Sequence, residues 1–426
     1  MEDFIDERAR YGLQIMLSVG FDDALVSTEA VTADELSIAH NEASLLRSTE
    51  QHSIALTGIV GGRKASTELT DLSDENIRAA ASRLLQDAQS APVDTANAVS
   101  EAQSGRVERG PLTSDADMLA LKAQELLDFR ANEAQQFQME EASASHMRVL
   151  SKILTSRGSD INENRGWYSL GVMGTARNGE ASSSLNYTGG AANALDEAHA
   201  ADYFGIRTMM HETIAQTHPK GLDEKFSGEV ILTPHAACDF LYWLLGQLSD
   251  VQLISGSSLY RDSVGAEIAA SILSIRSHFD APGVSATSAD AFTVHPVHLL
   301  DKGVLNCLLP SQYGSLKTGI AHVPVSNGWE IDAGETALED MVSGVEHGAL
   351  VGRLSMGAPA ANGDFSGVIK NSFLLRHGQQ ANALAEVMIT GNMAKMLKAI
   401  TAISRERLDT GSLVMPWIRI PGVVFS

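Results

Sequence analysis

The chain has 426 residues, enough for two or three ordinary domains that each bury a core. Hydrophobic residues make up 44% and charged residues 20%, the balance of a globular protein rather than a disordered or fibrous one. With 31 Lys and Arg against 53 Asp and Glu the net charge is -22, and the basic residues are scattered singly, which argues against direct contact with a nucleic-acid backbone.

The first apolar periodicity runs from Phe4 to Val19, where Ile5, Ala9, Gly12, Met16 and Val19 share one helical face. Two strand-like runs follow, "DALVSTE" and "ELSIAHNE". The segment "HSIALTGIVGGRKASTEL" alternates on both sides of Gly61 and Gly62 and predicts a β-hairpin. Ser73 then stands at the N-cap position ahead of Ile77, Ala81, Leu84, Leu85 and Ala88. Residues 90–114 are polar, carry Pro and Gly without periodicity, and predict a loop. A helix is expected over Asp115 to Gln138, strands resume at "HMRVLSKILTSRG", and Asn178-Gly179 predicts the next hairpin turn. A helix over Ala194 to Thr217 and a linker at "HPKGLDEKFSGE" complete the first half. Beyond lie a strand at "EVILT", the helix after it, a helical segment near "VGAEIAASILSI", and short strands and turns to residue 426. Helices and strands are segregated more than they alternate, which predicts an α+β protein: a mixed domain over residues 1–218, then a domain over 219–426 rich in antiparallel strands with packed helices.

Two cysteines, Cys238 and Cys307, are too few for a disulfide framework or a cysteine-rich metal site. The opening "MEDFIDERAR" lacks the basic start and apolar core of a signal peptide, and no apolar run approaches the ~20 residues of a membrane span, so a cytoplasmic location away from membranes is expected.

The stretch "MMHETIAQTHPK", Met209 to Lys220, invites comparison with a zinc-protease helix. Its histidines, His211 and His218, stand seven apart, so at ~1.5 Å per residue their Cα atoms lie ~10.5 Å apart on a helix, too far to share a metal held at ~2.0–2.1 Å. Four residues after His211 stands Ala215, where the common protease signature has its second histidine. "GIVGGRK" lacks P-loop spacing, "KTG" at Lys317 to Gly319 has no accompanying Ser-x-x-Lys, and His295 and His298 would tend to opposite faces of a strand.

Four segments, "GSSLYRDSVGAEIAASILSI", "LLDKGVLNCLLPS", "GDFSGVIKNSFLLRHGQ" and "VMITGNMAKMLKAI", resemble in that order the TldD/PmbA family, also called modulators of DNA gyrase. The run "LLRSTEQHSIALTGIVGGRKASTELTDLSDENI" is similar to the family's first domain. The resemblance implies one of two branches. TldD-like members carry His-Glu-x-x-x-His after a leucine pair, with a Cys near the carboxyl end, and form the proteolytic subunit; PmbA-like members, also called TldE, share the fold without the metal ligands. By this resemblance the zinc motif falls on "FLYWLLGQ", with Tyr242 at the first His, Trp243 at the Glu and Gln247 at the second His. A phenol, an indole and an amide are poor substitutes, and "RERLDTGSLVMP" holds no Cys. Those three side chains either pack or line a vestigial cavity.

The helix there is predicted to be capped by Thr233, to begin at Pro234, and to bury Phe240, Leu241, Leu244, Leu245 and Leu248. Gly363, Asp364, Phe365 and Ser366, with Gly391 and Asn392, mark the fold common to both branches; Gly363 and His377-Gly378 read as turns, and Phe365, Val368, Phe373 and Leu375 as core. The resemblance implies a metal-free, non-catalytic PmbA/TldE-like subunit without cofactor, partnered with a TldD-like zinc protease subunit as a heterodimer or with itself, in a complex that processes unfolded peptides. The alternatives are a metallopeptidase using His199, His211 and Glu212, or a gyrase modulator acting through protein contacts.

Overall fold

The structure, a computed structural model, describes residues 1–385 and 387–426. It is an α+β protein built on two large sheets.

The first sheet takes its strands from β1 (Asp23–Ala39), β2 (Glu42–Val60), β3 (Arg63–Leu69), β4 (Ser104–Arg109), β5 (Phe137–Thr155), β6 (Asp160–Asn178), β7 (Ala181–Ser182) and β8 (Asn186–Ala192). Their order is β3-β2-β1-β5-β6-β4, with β7 and β8 on β6. Alternating burial along β1 and β6 gives the sheet one packed face. Helices α1 (Glu2–Val19) and α2 (Asp74–Ser90) cover it with Ala9, Met16, Ile77 and Leu84. Helix α3 (Ala116–Asn132) sets Leu119, Leu126 and Phe129 against Phe137 and Met139. The cap at Ser73 forms as expected, its hydroxyl accepting from the Asn76 N–H at 3.4 Å.

Four differences from the sequence reading belong to this half. The runs at 23–29 and 35–42 merge into β1, because residues between them keep pairing with both β2 and β5. The loop expected over 90–114 contains β4, which runs parallel to β6; Val107 is its one large apolar residue, so no alternation announced it. Helix α3 ends at Asn132 rather than near 138, since Phe137 already belongs to β5. The helix expected over 194–217 shrinks to α4 (Ile206–Ala215), behind a single 3-10 turn at Ala200–Asp202. Phe204 and Gly205, at φ 52° and 71°, are left-handed and break the helical path.

The second sheet is built from β9 (Phe226–Leu232), β10 (Ile275–Ser277), β11 (His298–Asp301), β12 (Val304–Leu305), β13 (Trp329–Ile331), β14 (His347–Val351), β15 (Arg353–Met356), β16 (Asp364–Lys370), β17 (Ser372–Arg376), β18 (Gln379–Leu384), β19 (Val387–Asn392), β20 (Ala402–Asp409) and β21 (Leu413–Phe425). Strand β21 is its hub, pairing parallel to β13 and antiparallel to β9, β19 and β20. Helix α5 (Pro234–Gln247) lies on this sheet, followed by α6 (Asp250–Ser255), α7 (Gln312–Thr318), α8 (Leu338–Ser343) and α9 (Met393–Lys398). Phe240, Leu241, Leu244 and Leu248 join Leu232, Ile331, Ile418 and Ile420 in one core, each large side chain adding roughly 1.5–3 kcal/mol by leaving water.

The segment near "VGAEIAASILSI" is not helical. Its Ile268 and Ala269 N–H groups both donate to the Gly303 carbonyl, at 2.9 and 3.2 Å, and Ile268 and Leu273 are buried by the resulting turns. The linker expected over 218–229 is partly pinned: Lys220 N–H donates to the Ala383 carbonyl at 2.8 Å, and β9 starts at Phe226. In β16 the strand alternation buries Phe365 and Ile369 and leaves Val368 half-buried, so Ile369 holds the core position expected of Val368.

The two sheets are tied by specific polar contacts. Glu163 Oε1 accepts from the Ala286 N–H at 2.6 Å, and the Gln216 amide donates to the Ser372 carbonyl at 3.0 Å. Asp94 Oδ2 accepts from the Tyr313 hydroxyl at 2.8 Å and pairs with Lys317 Nζ at 2.7 Å. Among the described residues no helix is long and apolar enough to cross a membrane.

Candidate functional site

Helix α5 starts as its sequence dictates. Thr233 Oγ1 accepts from the Ala236 N–H at 3.4 Å, and Pro234 opens the first turn, where its missing N–H costs nothing. The three positions assigned to the degenerate zinc motif then diverge. Tyr242 is 55% exposed, whereas Gln247 is only 3% exposed and points inward. The Gln247 amide is committed: Oε1 accepts from the Leu259 N–H at 3.0 Å, and Nε2 donates to the Ala361 carbonyl at 3.4 Å. Trp243 is packed edge-on against Tyr260, ring centroids 6.2 Å apart, and its buried indole N–H has no partner. Partial burial holds the Tyr242 phenol above its ordinary pKa, further from the phenolate a metal would need. These residues do not fit a zinc ion.

Gly363 and Phe365 pack against the same helix, and Gly391 packs behind Phe365. Gly363 turns at φ 88°, and a Cβ there would lie 3.2 Å from the Trp243 ring. Its carbonyl accepts from the Met393 N–H at 2.8 Å. Asn392 caps α9 by accepting from the Lys395 N–H at 3.0 Å, while its Nδ2 donates to Asp364 Oδ1 at 2.8 Å and to the Asn362 carbonyl at 2.9 Å. Asp364 is held below its usual carboxylate range chiefly by Asn392. Phe365 meets Phe240 edge-on at 6.3 Å, and a Cβ on Gly391 would press to 2.8 Å from Met396 Sδ. Ser366 stands beside Thr390, hydroxyls 3.4 Å apart, on the exposed face of β16. Gly363 and Phe365 buttress α5 by packing, and Asn392 caps α9.

The residues of "HETIAQTH" separate. His211 is exposed and edge-on to Phe129 at 5.7 Å; His199 caps the 3-10 turn, its Nδ1 accepting from the Ala201 N–H at 3.2 Å. His218 lies beyond the end of α4, with Nδ1 3.2 Å from the Thr217 hydroxyl. Burial pushes the Cys238 thiol up to about 12, and it also raises Cys307, so neither is a ready thiolate. Among the described residues no three His, Cys, Asp or Glu side chains gather where they could hold a metal.

A site in which the sequence reading gave a functional role only to Glu212, as an alternative peptidase residue, lies between the two sheets. A cavity of about 270 Å³ opens between one face of α4, carrying Met209 and Glu212, and the start of α5 at Thr233, Pro234 and His235. Asn186, Arg353 and Asn371 close it. His235 Nε2 lies 3.3 Å from Thr188 Oγ1, whose own hydrogen goes to the Phe204 carbonyl at 2.6 Å; His235 therefore donates from Nε2 and leaves Nδ1 as an acceptor. Burial lowers the His235 pKa to about 4, so the ring is neutral. Burial alone pushes the Glu212 carboxyl up to about 7. These residues come from distant segments: Met209 and Glu212 belong to the stretch compared above with a zinc-protease helix, and the other local signal is a polar His at the first turn of an otherwise apolar helix.

Residues 226–426 match the family model described as the PmbA/TldA metallopeptidase C-terminal domain. Three solved structures share the fold along nearly the whole length. A candidate modulator of DNA gyrase from Bacteroides thetaiotaomicron is 19% identical with a TM-score of 0.84, over 99% of this chain and 98% of that one. TldE from Thermococcus kodakarensis is 17% identical with a TM-score of 0.81, over 99% of both chains. A candidate modulator of a DNA gyrase from Thermotoga maritima is 16% identical with a TM-score of 0.79, over 99% of this chain and 100% of that one. No curated protein matches the chain.

Proposed function

We propose, from the match of residues 226–426 to the PmbA/TldA metallopeptidase C-terminal domain, that the chain is a PmbA/TldE-like member of the TldD/PmbA family, a subunit without catalytic metal working in the cytoplasm beside a TldD-like zinc peptidase that processes unfolded peptides. The observation that carries this reading is the Gln247 amide, tied to the Leu259 N–H and the Ala361 carbonyl where the resemblance sets the second zinc-binding histidine. A neutral amide already held on both sides lacks the negative charge of a carboxylate or thiolate and the basic ring nitrogen of a histidine, the groups that bind a structural or catalytic zinc.

Two further features support it. Tyr242, Val251, Ile254 and Leu259 are exposed apolar side chains along α5, α6 and the turn after them, a surface of the kind that a partner subunit covers. On the first sheet, β3 begins to pair with β2 only at Ile54, so residues 42–53 of β2 leave one backbone edge open. An extended peptide can add there as a strand, a mode that reads backbone rather than side chains.

The test combines metal content and assembly. Protein purified without added metal, and again after zinc incubation and desalting, is expected to carry near-zero zinc by mass spectrometry, to leave denatured casein intact, and to form a heterodimer with a TldD-like subunit on gel filtration. One zinc per chain with chelator-sensitive cleavage, both lost on His211→Ala, would overturn the proposal.

A further inference from the structure

The cavity between α4 and α5 holds polar groups that the fold itself leaves unused. Arg353 Nε donates to Asn186 Oδ1 at 3.2 Å, its Nη2 donates to the Tyr187 carbonyl, and its guanidinium lies 3.6 Å over the Tyr187 ring. Among the described residues no carboxylate pairs with it and Nη1 has no acceptor, although burial penalises its charge; Asp239 on α5 acts on it only at a distance. A half-buried cation without an anion is costly, and the first turn of α5 adds partial positive charge to the same wall. Asn371, only 6% exposed, donates from Nδ2 to the Leu185 carbonyl at 3.2 Å, while its Oδ1 has no donor. On α4, Glu212 lines the opposite wall without a hydrogen-bond partner among the described residues. Asp202, also on the rim, is already paired with Arg207 at 2.7 Å.

Among the described residues, an Arg353 Nη1 without an acceptor facing Glu212 and Asn371 Oδ1 without donors asks for a ligand that is an anion at one end and a donor at the other. At about 270 Å³ the cavity falls below the roughly 300–1,000 Å³ of pockets that hold drug-sized molecules, so the ligand is small. A second chamber of about 180 Å³ shares Pro234, His235 and Leu408 with it and is otherwise lined by groups such as Cys238, Leu413 and Met415. That chamber suits an apolar side chain. We propose that this cavity binds a zwitterionic ligand, a free amino acid or dipeptide with an apolar side chain: its carboxylate on Arg353, its ammonium between Glu212 and Asn371 Oδ1, and its side chain toward the chamber beyond His235. The inference rests on this cavity and not on the proposed role beside a zinc peptidase.

The experiment is a thermal-shift titration of the full chain at pH 8, confirmed by calorimetry, with four probes: L-leucine, glycyl-L-leucine, N-acetyl-L-leucine and L-leucinamide. L-Leucine or glycyl-L-leucine is expected to raise Tm with concentration, and the probes lacking an ammonium or a carboxylate are not. Glu212→Gln should weaken binding by about tenfold or more through loss of one charged contact. Arg353→Lys, which keeps the charge and removes the fork, should do the same. The Tm of each variant without ligand shows that it has folded. No shift with any probe, equal shifts with the capped probes, or unchanged affinity in Glu212→Gln would each overturn the proposal.

Discussion

Gln247 Oε1 accepts the Leu259 backbone N–H at 3.0 Å, so one buried amide joins the last turn of α5 to the segment that follows α6. Truncating it leaves a buried N–H and the Ala361 carbonyl unpaired. Gln247→Ala is expected to lower stability by about 1–3 kcal/mol, measured by urea unfolding. A variant as stable as the parent would mean that the amide is not structural.

Trp243 has a different liability. It fills the space between Tyr260 and Gly363, and its indole N–H is buried without a partner. Trp243→Ala is expected to lose about 3–5 kcal/mol through the cavity it leaves. Trp243→Phe keeps most of the packing and removes the unpaired donor, so denaturation midpoints should place it much nearer the parent than the alanine variant.

Asp94 binds the two halves through Lys317 and Tyr313, and Lys317 first, then the Ala96 N–H and Tyr313, hold its carboxyl down at about 2 against an ordinary 3.8. A carboxylate with a lowered folded pKa contributes stability that is fully present above the unfolded pKa and is lost as pH falls through the folded one. The part of the stability difference between the parent and Asp94→Asn that comes from the charge should therefore be constant at neutral pH, shrink below about pH 4, and vanish only below about pH 2. Because the carboxylate is partly exposed, 1 M salt should diminish the difference.

Glu212 runs the other way. Its folded pKa is raised by burial from 4.5 to about 7, so the native state holds a proton that the unfolded chain has released. This costs stability progressively between about pH 4.5 and pH 7 and by a constant amount above. Without ligand, Glu212→Gln should match the parent below pH 4.5 and exceed it at pH 8. The other ionisable groups of the cavity, Asp202, His235 and Arg353, are common to both proteins and cancel in the difference. A pH-independent difference in chemical unfolding would show that this carboxyl titrates normally.

Elements with local punctuation were legible in the sequence. Ser73 and Thr233 announced α2 and α5, and Gly363 and His377-Gly378 announced the turns that begin β16 and join β17 to β18. Elements whose cause is tertiary were not. Strand β4 exists because β6 offers a parallel edge, and the 268–273 segment is drawn out of helix by the Gly303 carbonyl. The same divide runs through the candidate site. The motif positions on α5 could be named from resemblance, yet that Gly363 and Phe365 pack against Trp243 and Phe240 of that helix is a contact across the fold, invisible to spacing. The cavity of Glu212, His235, Arg353 and Asn371 takes single residues from element ends, where periodicity carries no information.

The central place of β21 has a consequence for biosynthesis. The strands of the first sheet all precede residue 193, so that sheet can close while much of the chain is still untranslated. The second cannot: β9 waits for residues 413–425 before one of its edges is paired, and until they leave the ribosome Val230, Ile231 and Leu232 present an apolar, half-paired strand. The nascent protein thus passes through a long interval with one sheet complete and the other open, a state exposed to aggregation.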